Sequence, residues 1–491
     1  MSHRPAAQAT PAADAGREGG GAGRQRAGAA ARVVVIGGGL AGITAAIGLR
    51  EAGLAVTLLE ARPRLGGSAS SYRRAGMWVD NGQHVFLRCC TSYRDLLARL
   101  GVAGSVTIQR RFDVTVLSPA GRARLRRTAL PAPLHLAGAL ARYRPLPPAQ
   151  RLAAGRAALA LRFVDPAEPS LDSVRFGDWL ASRGQPERVR RALWDLFVVS
   201  ALNIAGDEAS LPLAATVIRT ALLSRRDAAD IGMATVPLGE LHAAAPAALL
   251  ARLGASVRLG AKASWVRPAP GGGFEVGLAR GDGCLPADGV VIAVPAPQAA
   301  RLAGPAGVPG AAAWERLGAS PIVNVHVIYD RPVTDLPFAA AIDSPVQWVF
   351  DRTRQAGLGS GQYLAVSLSA ADDVAQVPAG ELRRQFLPEL ERLFPAAAGA
   401  RVTDFFVTRE RRATFRQGPG TGALRPGTAT PVPGLALAGA WTDTGWPDTM
   451  EGAVRSGIKA SGELTRQLAG REAASRLGPP GRAAAATGAR P

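Results

Sequence analysis

The sequence predicts an α/β protein, a Rossmann-like dinucleotide-binding domain with a mixed α+β domain interleaved into it. Three observations carry this. Residues 32–67 read RVVVIGGGLAGITAAIGLREAGLAVTLLEARPRLGG, which is strand, glycine turn, helix and second strand in order. Residues 435–468 offer another strand and helix at the far end of the chain. Between them, helical and strand-like stretches alternate without a second glycine fingerprint.

The first unit is the most specific. Val33 to Ile36 is an apolar, β-branched run that reads as a buried strand. Gly37, Gly39 and Gly42 keep the G-x-G-x-x-G spacing, and residues 40–52 have helical content. The first glycine permits a tight turn, the second lets backbone approach a pyrophosphate, and the third lets helix and strand pack closely. The N–H groups of Leu40 and Ala41 open a helix, where phosphate is favoured. A strand over 55–59 ends at Glu60, about twenty residues on, where an acid binds a free ribose hydroxyl pair. That points to FAD or NAD rather than NADP.

Bulk properties narrow the class. The 491 residues are enough for two or three domains, and 47% hydrophobic with 20% charged is a globular composition. The net charge of +20 comes almost wholly from arginine, with lysine only at 262 and 459. It fits either an anionic surface or the codon bias of a GC-rich genome. Arginine is not interleaved with aromatic runs, which argues against nucleic acid. Cys89, Cys90 and Cys284 have neither metal nor disulfide spacing and suit a reducing cytoplasm. No metal site is expected. No stretch is long and apolar enough to span a bilayer, and the N-terminus lacks the apolar region of a secretory signal.

Taken in order, residues 1–31 lack large apolar side chains and read as a disordered tail. The dinucleotide domain follows over 32–104, with a strand at Trp78–Asp80, a turn at Asn81-Gly82 and a helix over 93–100. Residues 105–234 open with a hairpin over 111–127 and continue as helices, and they read as half of a substrate domain. Residues 235–305 return to the first domain, with a helix over 240–253, strands over 256–259 and 289–294, and a helix from 296. Strands at IVNVHVIYD, WVFDR, YLAVSLS and DFFVTRE surround a helix over 379–393 and give 306–419 as the second half of the substrate domain. Residues 420–470 complete the first domain, and 471–491 read as a second disordered tail.

In the closing unit Leu435 to Ala440 reads as a strand, Thr449 as an N-cap, and 451–468 as a helix. Gly452, Ala453, Ser456 and Gly457 make its first turns small, so something bulky can lie there. On its own this fits a flavin or ordinary tight packing equally well.

Several motifs carry a resemblance. Glu60 is followed by ARPRLGG, similar to the E-x-R-x-x-x-GG extension of the amine oxidase and phytoene desaturase superfamily of FAD enzymes. DNGQHVFLRCC (80–90) and AGAWTDTGWPDTMEGAVRSG (438–457) resemble the hydroxysqualene dehydroxylase family of squalene-associated FAD enzymes in bacterial hopanoid pathways. The resemblance is strong over 32–100 and 430–465 and architectural between. It implies non-covalent FAD held by Gly37 to Gly42, by Glu60, Ala61 and Arg62, and by Gly66, Gly67 and Ser68. It adds Ala263 facing adenine, then Gly439, Thr442, Thr449, Met450, Glu451 and Ala453 at the C-terminal end. Phytoene desaturases carry an Asp directly after the strand glycine, and this chain has Ala440 there, so ribityl contact passes to Thr442 or Asp443.

The implied reaction removes an allylic hydroxyl from a thirty-carbon isoprenoid, giving squalene by hydride transfer from reduced flavin. Hydroxide is a poor leaving group, so an acid must protonate it. His84 is the first candidate because imidazole titrates near working pH. Asp80 would orient it, and Asp443 and Asp448 are alternatives as buried carboxyls. His135, His242 and His326 have no evident partner. The electron donor would be NAD(P)H or a reductase acting transiently. A carotenoid-type desaturase, running hydride the other way, is the main rival. An amine oxidase is the second, with Trp441 and Trp446 as its cage. The arginines at 122, 124, 126 and 127 beside a leucine-rich stretch suggest a peripheral membrane contact.

Overall fold

The computed structural model describes residues 30–280 and 283–477. Most of the two tails expected at 1–31 and 471–491 lies outside those residues. The last helix, Met450–Leu477, runs past residue 471, so the C-terminal tail begins later than its Ala, Gly and Arg content suggested.

Five parallel strands form the first sheet. β1 (Arg32–Ile36) is central, with β2 (Ala55–Glu60) and then Ser256–Leu259 on one side, and Gly289–Ile292 and then Leu435–Leu437 on the other. Because β1 leads to a neighbour on each side, the crevice at its carboxyl end is the topological switch point, where open α/β sheets bind ligands. The helix α1 (Leu40–Glu51) buries Ile43, Ile47 and Leu49 beneath the sheet. Against α1 lies Met450–Leu477, close enough that a Cβ on Gly457 would overlap the Ala41 carbonyl oxygen.

The second large sheet is mixed and seven-stranded. The hairpin Asp113–Ser118 and Gly121–Arg126 joins it at one edge through Phe338–Ala341. Trp348–Asp351, Gln362–Leu368, Ser320–Tyr329 and Val402–Thr414 complete it. The four strands and the helix read over 320–417 are present, the helix being Ala379–Leu393. Phe338–Ala341 was not foreseen, since its three alanines carry little strand signal. Helices from Pro148–Ala160 to Leu211–Ile218 pack on the hairpin side around Tyr143, Phe176 and Trp194. A small sheet of Val85–Leu87, Ile231–Ala234 and Val106–Ile108 links segments flanking those helices. Also unforeseen is a three-stranded antiparallel sheet, Ala263–Pro268, Phe274–Leu278 and Cys284–Ala287. The three cysteines are free.

Candidate flavin site and proton donors

The turn after β1 is built as its glycines require. Gly37 has φ +115°, and a Cβ there would overlap the Ala293 carbonyl oxygen. A Cβ on Gly42 would overlap the Gly37 carbonyl oxygen. At Gly39 the nearest atom to a built Cβ is Gly67 Cα at 3.8 Å, so this glycine alone of the three faces open space. It is the N-cap of α1, and no side chain caps that helix. The first N–H groups of α1, on Leu40 and Ala41, have no acceptor within the helix and carry its positive dipole end. An open cradle bounded by free amides fits a pyrophosphate.

Glu60, 8% exposed, closes the cradle. The Gly38 N–H donates to its Oε2 and the Arg62 N–H to its Oε1, each at 2.7 Å. A carboxylate offers about four lone-pair positions, so acceptor capacity remains for ribose hydroxyls. The extension after Glu60 folds back onto the turn. Gly66 N–H donates to Gly38 O at 2.9 Å, and Arg62 Nη1 to Gly67 O at 3.2 Å. Ser68 is exposed, and its carbonyl accepts from Asn81 Nδ2 at 2.8 Å. Asn81 Oδ1 accepts from Ser70 N–H at 2.9 Å, so the DNGQH turn clasps the loop that carries Gly66 and Gly67. Ala261 N–H donates to the Glu60 backbone carbonyl at 2.9 Å, which ties the strand starting at Ala263 to the end of β2.

Asp80 is committed to structure. It accepts from Ser71 Oγ at 2.5 Å and Leu238 N–H at 3.1 Å, and it forms an ion pair with Arg352. His84 lies four residues on, beside Gly82 and partly buried. Burial pushes its imidazole below the ordinary value, and Arg352 adds to this, while Asp80 and the Ser68 backbone offset it. Two buried acceptors cluster at this turn without a protein donor among the described residues, Gln83 Oε1 and Asn324 Oδ1. Asn324 Nδ2 reaches Asn81 O at 3.4 Å. Unpaired buried acceptors are costly and mark a place where a ligand or water completes the bonding.

The other histidines have partners that sequence did not reveal. His242 pairs with Tyr93 OH at 2.8 Å and Ala69 O at 3.1 Å. His326 pairs with Tyr363 OH at 2.7 Å and Thr408 Oγ1 at 2.9 Å. His135 is fully buried with neither ring nitrogen bonded among the described residues.

The C-terminal residues diverge from expectation. Thr449 does cap its helix, with Gly452 N–H donating to its Oγ1 at 3.2 Å, and the first-turn amides of Met450 and Glu451 have no acceptor among the described residues. Ala453 sits partly exposed on the next turn. The Glu451 side chain points elsewhere. Its oxygens accept from Ser92 N–H at 3.2 Å, Tyr93 N–H at 2.8 Å and Arg455 Nε at 2.7 Å, so it caps α2 (Thr91–Arg99). Thr442 is fully buried, and its hydroxyl donates to Gly439 O at 2.8 Å. With no accessible surface, Thr442 holds the Gly439 turn in place. Asp443 is exposed, its Oδ1 accepting from Gly445 N–H, at the edge of a groove of about 1010 Å³ walled by residues such as Asp172, Thr216 and Arg425. It is no buried acid. Asp448 is half-buried, and its desolvation pushes its carboxyl up to about 6 against the Phe415 N–H and Arg425.

Three of the small residues of the last helix are taken up by protein contacts. Gly457 meets α1, Gly452 meets the Pro447 carbonyl, and Ser456 Oγ accepts from Gly439 N–H at 2.8 Å. Trp441 Nε1 donates to Val294 O at 2.9 Å and its ring packs on Trp314, while Trp446 lies under Arg455. Neither is arranged as an amine cage. Sequence missed Arg425, whose buried guanidinium gathers the carbonyls of Ala440, Trp441, Thr442 and Trp446.

A switch-point crevice, an open glycine cradle and a terminal acid together define a dinucleotide-binding protein, and the family it falls in makes that dinucleotide FAD and the protein a flavin-dependent oxidoreductase. Residues 40–465 match the family described as flavin containing amine oxidoreductase, and the chain belongs to that family. It is 31% identical over 440 residues to a hydroxysqualene dehydroxylase of Rhodopseudomonas palustris, covering 87% of this chain and 97% of that one. It is 26% identical over 484 residues to a zeta-carotene desaturase of Zea mays, covering 88% and 82%. Among solved structures, cyclohexylamine oxidase from Brevibacterium oxydans shares the fold with a TM-score of 0.67 at 22% identity, covering 90% of this chain and all of that one.

Proposed function

We propose that this protein removes the allylic hydroxyl of a thirty-carbon isoprenoid alcohol, hydroxysqualene, to give squalene. The observation that carries this reading is the extent of the likeness to the dehydroxylase. It runs over 97% of that protein's length, through the flavin segments and the intervening substrate segments alike. We assign FAD binding to 32–104, 235–305 and 420–470, and substrate enclosure to 105–234 and 306–419. The amides of Leu40 and Ala41 hold the pyrophosphate, Glu60 the ribose, and the first-turn amides of Met450 and Glu451 an acceptor on the flavin. FAD bound there supplies two electrons. The chain's own residues bind the apolar substrate, exclude water and deliver a proton.

In the balanced reaction an alcohol, two electrons and two protons yield a hydrocarbon and water. One proton must reach the oxygen as the C–O bond breaks, which is worth about 10²–10⁴-fold. We assign this proton to His84, which follows Gln83 in the turn and lies against Gly82. Because burial lowers its basicity, the protonated form is scarce at neutral pH. Turnover that depends on imidazolium therefore declines as pH rises through a value below 6.5, its ordinary pKa. Asp448 is the alternative donor. Asp80 positions Arg352 against His84 and does not itself donate. NAD(P)H or a reductase recharges the flavin, and the water-insoluble substrate arrives from a membrane.

The test is incubation of purified holoenzyme with hydroxysqualene and reductant, with a carotenoid polyene and oxidant, and with simple amines. Squalene is the expected product. A more unsaturated polyene would instead establish the desaturase reading, which needs no acid. His84→Ala should keep non-covalent, acid-extractable FAD and lose about 10²-fold or more in turnover. Unchanged turnover removes His84 from the mechanism.

A further inference from the structure

We infer that the helix Pro148–Ala160 and the turn that continues it, Leu161–Phe163, form a docking face for an anionic lipid bilayer. The helix is inverted in its polarity. Ala154, Ala157 and Leu161 face inward and are buried. Leu152, Arg156, Leu159 and Phe163 recur at i, i+4, i+7 and i+11, which puts them on one face, and that face is open. Leu152 is 64% exposed, Leu159 46% and Phe163 89%. An amphipathic helix on a folded domain normally turns its large apolar side chains to the core. Here the core side is filled by small residues and sealed in other ways. Arg151 Nε bonds Leu146 O at 2.6 Å, and Gly155 lies within contact of Leu140.

Single exposed leucines need no explanation, whereas a cluster does. Eight large apolar side chains are exposed among the described residues, and five of them fall between 130 and 163, Leu130 and Leu134 being the other two. Charge selects the partner. No Asp or Glu occurs between Asp113 and Asp165, a stretch with nine arginines. Arg124 and Arg126 pair with Asp113, and Arg127 pairs with Asp230, so three of the four arginines that the sequence suggested for membrane contact are engaged inside the fold. Arg156 and Arg162 are exposed and make no ion pair among the described residues. A second copy of the chain would set these arginines against themselves. Residues 1–29 are net basic too, with Arg4, Arg17, Arg24 and Arg26 against Asp14 and Glu18. An anionic bilayer satisfies both halves of the stripe, taking leucine and phenylalanine at the acyl boundary and arginine at the headgroups. No helix among the described residues is long and apolar enough to cross a membrane, so the contact is interfacial.

The proposed reaction explains why such a face is useful, but the face stands without it. FAD-loaded protein is floated with phosphatidylcholine vesicles, with and without about one third phosphatidylglycerol, at low and high salt. Wild type should float with the anionic vesicles, and more weakly in salt. Leu152→Ser, Leu159→Ser and Phe163→Ser combined should lower vesicle binding about tenfold or more, with flavin content unchanged. Arg156→Ser with Arg162→Ser should lower it several-fold, chiefly at low salt. Absence of wild-type flotation overturns the docking face, as does equal flotation by the triple variant. A dimer that the triple variant converts to monomer also overturns it, by assigning the stripe to a second copy. Turnover on detergent-dispersed substrate is read separately, so loss of flotation with intact turnover sinks docking alone, and the reverse sinks the reaction alone.

Discussion

The first flavin motif and the last differ in which atoms do the work. Around residues 37–67 the ligand-facing chemistry belongs to backbone amides, and each glycine has the environment its spacing implies, packed at Gly37 and Gly42 and open at Gly39. Around residues 439–457 the motif's side chains are mostly engaged with other protein segments. Gly457 admits α1, Ser456 holds Gly439, and Glu451 caps α2. A fingerprint that encodes backbone path is decided within one local window. A fingerprint of side chains is decided by whatever packs opposite, here residues 41–93.

The largest effects test the N-terminal half of that contrast. Gly42→Ala puts a methyl into the Gly37 carbonyl and forces helix from strand, at about 3 kcal/mol or more. At Gly39→Val the added Cβ meets nothing closer than 3.8 Å, so stability should stay within about 1 kcal/mol while flavin affinity falls about 100-fold or more. Denaturant melts and flavin titration on the same preparations check both. A yellow, stable Gly42→Ala variant would break the distinction between the packed and the open glycine.

A middle-sized pair compares the two acids. Glu451→Ala strands the α2 amides and leaves Arg455 without its buried partner, at about 2–4 kcal/mol. Flavin affinity should follow only as far as the fold loosens. Glu60→Ala should show the reverse balance, with a larger loss of flavin than of stability. If Glu451→Ala releases flavin at an unchanged melting temperature, its side chain serves the ligand after all and the contrast fails.

How much could be read beforehand follows the same division. The parallel sheet, its glycine turn, the hairpin after residue 111 and the helix over 379–393 all rest on short-range patterns and were legible. So were four strands of the seven-stranded sheet. Phe338–Ala341 was not, because alanine holds a strand there only through its neighbours, Trp348–Asp351 and the hairpin. At the site, Glu60 was legible from its spacing. Arg352 and Arg425 were not, since each is 8% exposed or partly buried for reasons that lie in distant segments, Asp80 in one case and four carbonyls of the 440–446 loop in the other. The Asp80–Arg352 pair, the orphan acceptors at Gln83 and Asn324, and the exposed face of Pro148–Ala160 all needed coordinates, because burial is not a property of one residue.

The smallest effect concerns Asp448, the one candidate side chain of the C-terminal motif held for its charge state rather than its packing. Its carboxyl titrates at about 6 in the fold against 3.8 as the reference value, so the folded chain holds this proton more tightly than the unfolded chain. Below the reference value both states are protonated and the group costs nothing. As pH rises toward 6 the unfolded chain ionises first, and the cost grows to a plateau of about 1–3 kcal/mol. Asp448→Asn keeps an acceptor for the Phe415 N–H and removes the charge. It should therefore be more stable than wild type at pH 8 by about that amount, with the difference vanishing near pH 4. Paired denaturant melts across that range check it, and a difference that grows toward low pH would refute the assignment. Turnover separates the two proton donors in the same variant. A more stable enzyme with normal activity leaves His84 as the donor, whereas a more stable enzyme without activity transfers the role to Asp448 and makes its desolvation part of the chemistry.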